Sequence, residues 1–131
     1  MKALDTGVLL GLLEGSPKVR ELLRKLRGSE LATTEANLLE LAYLAGVAQG
    51  KTRGARMAAL ERLRQRLTIV PIDRRAVHEA TAQISKGSGR LAPTVAAMLG
   101  ALEGAGAEEL LTDDPKAIAG DWTFRVRVVS V

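Results

Sequence analysis

Apolar residues fall in two rhythms along this chain. Short blocks such as Lys2–Leu4 and the segments TIVPI, AEELLT and RVRVVSV have the length and bounded apolar content of buried strands. Between them run longer segments with apolar positions every three to four residues, the spacing of one helix face. The first strand ends at Asp5, and Thr6 to Leu13 continue as a helix. Gly15 and Ser16-Pro17 break it. Ser16 suits a cap and Pro17 the first turn of a second helix through VRELLRKLRG, which Gly28 can end.

Glu30 to Thr33 read as a second strand, and Thr34 as the cap of a third helix with Glu35 in its first turn. That helix runs through NLLELAYLAGVAQG and is apolar on most of its circumference, so it is expected to be buried on more than one side, by the core and by a second subunit. TRGARMAALERLRQRL is a basic helix, and TIVPI is a strand ending near Asp73. RRAVHEATAQISKGSG and LAPTVAAMLGALEGAG are helices, the latter entered through Pro93. AEELLT is a strand, PKAIAG a short helix and RVRVVSV a last strand, with no internal repeat.

Short strands alternating with helices predict an α/β fold with a largely parallel sheet. In such folds chemistry collects beyond the carboxyl ends of the strands. Asp5 follows the first strand and Asp113-Asp114 follow ELLT, so both positions are expected on one edge of the sheet. That placement explains a carboxylate inside an apolar run. A buried, unpaired Asp costs several kcal/mol even after relaxation, whereas an acid at the sheet edge is free to work.

Composition narrows the chemistry. A length of 131 residues with 47% apolar content is expected to form one domain with a sizeable core. The absence of cysteine removes disulfides and thiolate metal sites, and a lone His argues against His-rich zinc sites and serine-type triads. No basic segment leads into a signal-peptide core, because Asp5 interrupts it, and no apolar run reaches the roughly 18 residues of a membrane span. The expected compartment is the cytoplasm. The formal net charge of +4 permits a polyanionic partner without naming one, and 2% aromatic residues leave no evident base-stacking platform. Charge is uneven: Lys51 to Arg66 carry six Lys/Arg and one Glu, whereas Glu103 to Asp121 carry six acids and one Lys.

Two small motifs lead nowhere. Asp5-Thr6-Gly7 also occurs in aspartic proteases, but that family is nearly all-β and this chain is rich in helical periodicity. Phosphatases with an aspartyl nucleophile after the first strand usually show a second Asp two residues on, where this chain has Gly7.

Three segments taken together, LDTGVLLGLL, TTEANLLELAYLAG and LAPTVAAMLGALEGAGAEELLTDDPKAI, resemble the layout of PIN domains, and in particular of VapC-type toxins from toxin–antitoxin pairs. The resemblance covers nearly the whole chain. It implies a three-layer sandwich, a mostly parallel sheet flanked by helices, and endoribonuclease activity with Mg²⁺ or Mn²⁺ held by acidic residues. It also implies RNA as substrate and an antitoxin protein as partner; the homodimer is expected instead from the apolar surface of the Glu35–Gln49 helix, too large for one side. By the same resemblance the acids fall on Asp5, Glu40 and Asp114, with Thr112 as the Thr of a T-x-D pattern. A further acid is expected where the late helix opens, and this chain has Thr94 there. A neutral hydroxyl at that place takes one negative charge from a site that balances a dication, so metal affinity should fall. Asp113 is expected to point the opposite way from Asp114 and not to replace the missing acid.

Each residue also has a structural role open to it. Asp5 could cap the helix it precedes, and Asp114 before Pro115 could be a helix start. Glu40 sits among Leu and Ala, where a cleft or an ion-pair partner is expected. Thr6 could orient Asp5 or simply pack, and Thr94 could be a helix-opening residue after Pro93. His78 reads as a surface or packing residue, and Trp122 and Phe124 as core closure. Arg62, Arg64 and Arg66 form a basic face that could attract RNA phosphates.

Overall fold

A computed structural model describes residues 1–47, 50–87 and 91–131. Five strands form a single parallel sheet: β1 (Lys2–Leu4), β2 (Leu31–Thr34), β3 (Thr68–Val70), β4 (Glu109–Thr112) and β5 (Arg127–Ser130), in the spatial order β3-β2-β1-β4-β5. Helices α1 (Thr6–Leu13) and α2 (Pro17–Lys25) join β1 to β2, and α3 (Glu35–Val47) and α4 (Lys51–Arg66) join β2 to β3. Helices α5 (Arg74–Lys86) and α6 (Pro93–Gly104) lead to β4, and α7 (Pro115–Ile118) precedes β5.

Side-chain alternation along the strands sorts the core into two halves. Ala3, Ala32, Val70 and Leu110 pack with Ala76 of α5, with Met98, Leu99 and Leu102 of α6, and with Ile118 and Phe124. Their strand neighbours Leu4 and Leu111 pack on the opposite face with Val8, Leu9, Val19, Leu41 and Leu60 from α1 to α4. Both faces are covered, which is why the strands read as continuous apolar runs. The three-layer α/β sandwich expected from the sequence is the architecture found. The hairpin of α5 and α6 is packed closely enough that a Cβ at Gly100 would come within 2.8 Å of the Ala76 carbonyl.

Local signals act where the sequence places them. Ser16 accepts a hydrogen bond from the Val19 backbone N–H at 3.4 Å, with Pro17 opening α2. Asp73 caps α5 through Ala76 N–H at 2.8 Å. Trp122 and Phe124 close the core, their ring centroids 5.8 Å apart, and His78 is exposed. Strand bounds move by a residue or more. β2 runs to Thr34, one residue past the expected end, because Thr34 serves both as the last strand residue and as the α3 cap. β3 stops at Val70, since Pro71 has no N–H to give the ladder. Ala48 and Gln49, near the expected end of the third helix, and Ser88 and Gly89, in the expected exit of the fifth, lie outside the described residues.

The chain leaves β1 toward β2 and β3, then returns to β1's other side as β4. That reversal makes the β1/β4 pair a topological switch point, and a crevice opens beyond its carboxyl ends.

Candidate functional site

The crevice is a cleft of about 300 Å³ lined by residues that follow β1 and β4 and by residues of α1, α3, α6 and α7. Asp5 comes from the end of β1, Glu40 from α3, Thr94 from the first turn of α6, and Asp113 and Asp114 from the end of β4. Leu44, Val95, Met98 and Ile118 supply apolar wall. The acids expected to meet, Asp5, Glu40 and Asp114, do line one cleft, together with Thr6 and Thr94.

Asp5 is the most firmly held of them. Its Oδ1 accepts from the Thr6 backbone N–H at 2.8 Å, which caps α1, and from Asn37 Nδ2 at 3.1 Å. Its Oδ2 accepts from the Thr112 hydroxyl at 2.7 Å. The capping and site readings of Asp5 are therefore compatible: one carboxylate makes both sets of contacts. Thr112 also accepts from the Asp114 backbone N–H at 3.1 Å, so one buried hydroxyl ties the end of β1 to the turn after β4. Thr6 donates to Glu40 Oε2 at 3.4 Å and accepts from Asn37 at 3.1 Å. Asp114 occupies the cap position of α7, but its side chain makes no capping bond, which leaves the carboxylate available.

Asp113 departs from expectation. β4 ends at Thr112, so the alternation of a strand no longer governs the next side chain, and Asp113 lines the same cleft as Asp114. Its carboxylate lies against the first turn of α1 where Gly7 has no side chain, and a Cβ there would collide with it. Gly7 is thus a space-making residue.

Sequence reasoning also missed Asn37, and read Thr34 only as the cap of α3. Thr34 accepts from Asn37 N–H at 3.3 Å and donates to Asn37 Oδ1 at 2.7 Å. A Thr followed three residues later by Asn at a helix start is a cap pattern, and an Asn buried among Leu and Ala was the signal available. Arg62 and Arg66, part of a basic face open to RNA phosphates or to solvent alone, line a different groove: an apolar channel of about 460 Å³ between α1, α2 and α4, bounded by Leu12, Leu13, Leu23 and Leu63 and also reached by Arg20.

The cleft's donors are hard oxygens suited to Mg²⁺ or Mn²⁺. Among the described residues no three acids stand close enough to wrap an ion together, and none of the four cleft acids pairs with Lys, Arg or His. This donor set fits an ion that keeps most of its water and takes one direct carboxylate, the usual habit of Mg²⁺.

Solved structures share this fold. The chain is similar to a chain of VapBC2 from Rickettsia felis bound to a promoter DNA fragment, with a TM-score of 0.77, 14% identity, and coverage of 99% of this chain and 98% of that one. It is similar to VapBC-5, a toxin–antitoxin system of Mycobacterium tuberculosis, at a TM-score of 0.69 and 23% identity over 99% and 98% of the two chains. It is also similar to M. tuberculosis VapC20, a toxin that cleaves the sarcin–ricin loop, at 0.65 and 14% over 92% and 99%. No protein of curated function matches the chain in sequence. The PIN domain family profile matches residues 2–119. With the parallel sheet, the switch-point cleft and its acids already in place, that match over nearly the whole length means that the chain belongs to the PIN domain family.

Proposed function

We propose that the chain is a metal-dependent endoribonuclease of the VapC kind, with residues 1–131 forming a single PIN-like domain, and that it works in the cytoplasm. The observation that carries this reading is the convergence of Asp5, Glu40 and Asp114, from distant parts of the sequence, on one cleft without a cationic partner among the described residues. Asp5 would hold Mg²⁺ or Mn²⁺ directly, with Glu40 and Asp114 holding its water shell. When bound, the ion supplies an activated water and offsets charge on the scissile phosphate.

The chain's own residues do the positioning. Thr112 and the Thr6 N–H hold Asp5, and the Thr6 hydroxyl reaches Glu40. Thr94 offers a neutral oxygen where the family pattern has an acid, and Asp113 returns one negative charge to the same cleft. With purified protein and a broad panel of single-stranded and structured RNAs, Mn²⁺ should give cleavage that EDTA abolishes and Asp5→Asn lacks. Absence of metal-stimulated cutting across the panel would contradict the reading.

Thr94 supports a second reading, a PIN fold that binds RNA or protein without cutting. The Thr94→Asp variant separates the two. Cleavage only in that variant makes the natural chain a binding protein, whereas equal cleavage by both makes the missing acid dispensable.

Two surfaces suit partners. The leucine channel flanked by Arg20, Arg62 and Arg66 has the chemistry to take an apolar segment carrying acids, which fits an antitoxin tail. Leu39, Tyr43 and Val47, at four-residue spacing on α3, remain 74%, 70% and 55% exposed, which fits a homodimer. Tyr43→Arg should convert a dimer to monomer in sedimentation at micromolar concentration, and a wild-type monomer there would contradict the assignment.

A further inference from the structure

Asn37 is 5% exposed in the first turn of α3, flanked in sequence by Ala36 and Leu38, and a buried amide is costly unless every polar atom is used. Every one is. Nδ2 donates to Asp5 Oδ1 at 3.1 Å and to Thr6 Oγ1 at 3.1 Å, and Oδ1 accepts from Thr34 at 2.7 Å.

An amide group is the right chemistry for that junction. It has two N–H donors on one atom for two separate acceptors, and an oxygen to receive the Thr34 proton. A leucine of similar size offers none of this. The consequences run to both acids. Thr6, having accepted from Asn37, turns its own proton toward Glu40. Asp5 Oδ1, having accepted from both Asn37 and the Thr6 N–H, is saturated.

An ionised carboxylate has about four acceptor positions on its two oxygens. Asp5 uses two on Oδ1 and one on Oδ2, the last for Thr112. One position remains, on Oδ2. We propose that Asn37 is a positioning residue that makes Asp5 a single-oxygen cation ligand and sets the direction of the Thr6–Glu40 hydrogen bond. This rests on the metal-dependent reading above and extends it. Thr34 is part of the device, because its hydroxyl fixes which way the Asn37 amide faces. The cap of α3 and the geometry of the cleft are therefore one network, so helix formation preorganises the acid.

The test is Mn²⁺ affinity, measured by the free-ion electron paramagnetic resonance signal on the full chain, with melting temperature followed in parallel. Asn37→Leu should weaken Mn²⁺ binding by about 10-fold or more, the scale for losing a partner that orients a ligand. Thr34→Val should weaken it several-fold, and Thr34→Ser, which keeps the hydroxyl, should restore it to within about twofold of wild type. In the wild type, Mg²⁺ should shift the Asn37 side-chain amide resonances, a signature that a purely structural role does not give. If Asn37→Leu does not fold, the Thr34→Val and Thr34→Ser pair decides. Wild-type affinity in Asn37→Leu, or equal affinity in the two Thr34 variants, overturns the proposal while leaving the metal reading intact. A wild-type chain that binds no Mn²⁺ overturns both.

Discussion

The two ends of the β1/β4 strand pair treat their carboxylates in opposite ways. At the amino end, Glu109 of β4 accepts from Lys2 of β1 at 2.9 Å and from Arg127 of β5, and Glu108 meets the amino terminus at 3.6 Å. At the carboxyl end, Asp5, Glu40, Asp113 and Asp114 share a cleft with no basic side chain in its lining among the described residues. The hydrogen bonds to Asp5 and Glu40 come from neutral hydroxyls, an amide and one backbone N–H. One end is neutralised from within the fold. The other keeps its negative charge, an arrangement that loses stability by repulsion and gains it back from a cation supplied from outside. Charge left uncompensated at a switch point separates a working edge from a structural one.

The largest expected effect is on chemistry. Asp5→Asn keeps the shape of the side chain but removes its charge, and RNA cleavage should fall by roughly 100-fold or more, the scale for losing one preorganised electrostatic group. Glu109→Gln, an equal change at the other end of the sheet and away from the cleft, should leave cleavage within about twofold in the same assay.

Metal addition sharpens the contrast. Mn²⁺ at 100 times its dissociation constant should stabilise the wild type by about 2.7 kcal/mol in thermal melts. Glu109→Gln should show the same increment, and Asp5→Asn almost none. If both variants respond alike, the ion is binding elsewhere.

Stability without metal should change in opposite directions at the two ends. The Lys2 ammonium first, and then the Arg127 guanidinium, hold the Glu109 carboxyl below the usual carboxylate range. A depressed acid stabilises the fold above its unfolded-state value, near pH 4.3, and that contribution is lost as pH falls through the lower folded value. Glu109→Gln should therefore cost about 1 kcal/mol near neutral pH, since Arg127 is 73% exposed and its share is screened. The difference from wild type should close under acid. Smallest of all, Glu40→Gln in EDTA should raise stability by about 0.5 kcal/mol, the low end of gains from relieving a functional site. A loss instead would mean that the Thr6 contact outweighs the repulsion.

How much of this was legible in the sequence depended on the range of the interaction. β1, α1, α2 and α6 follow from periodicity, Ser16, Pro17 and Pro93, all of which act within a turn or two. Asp5 and Asp114 fall on one edge because a parallel sheet puts strand ends of the same sense together. Asn37 was not legible as a site residue, because its worth comes from Asp5, a neighbour 32 residues away in sequence. Asp113 was misread because alternation was extended one residue past the end of the strand. Only the fold shows that Gly7 leaves room for that carboxylate. The basic residues of α4 were legible as charge, but their address was not: Arg62 and Arg66 reach the leucine channel and do not line the cleft.

Crystals soaked in Mn²⁺ and measured for anomalous scattering address the central claim most directly. The account expects a single peak in the cleft, bonded to Oδ2 of Asp5, with Glu40 and Asp114 reached through ordered water. Saturating Mn²⁺ that leaves this cleft without a peak, while scattering is found against Glu108 or other surface acids, would contradict it.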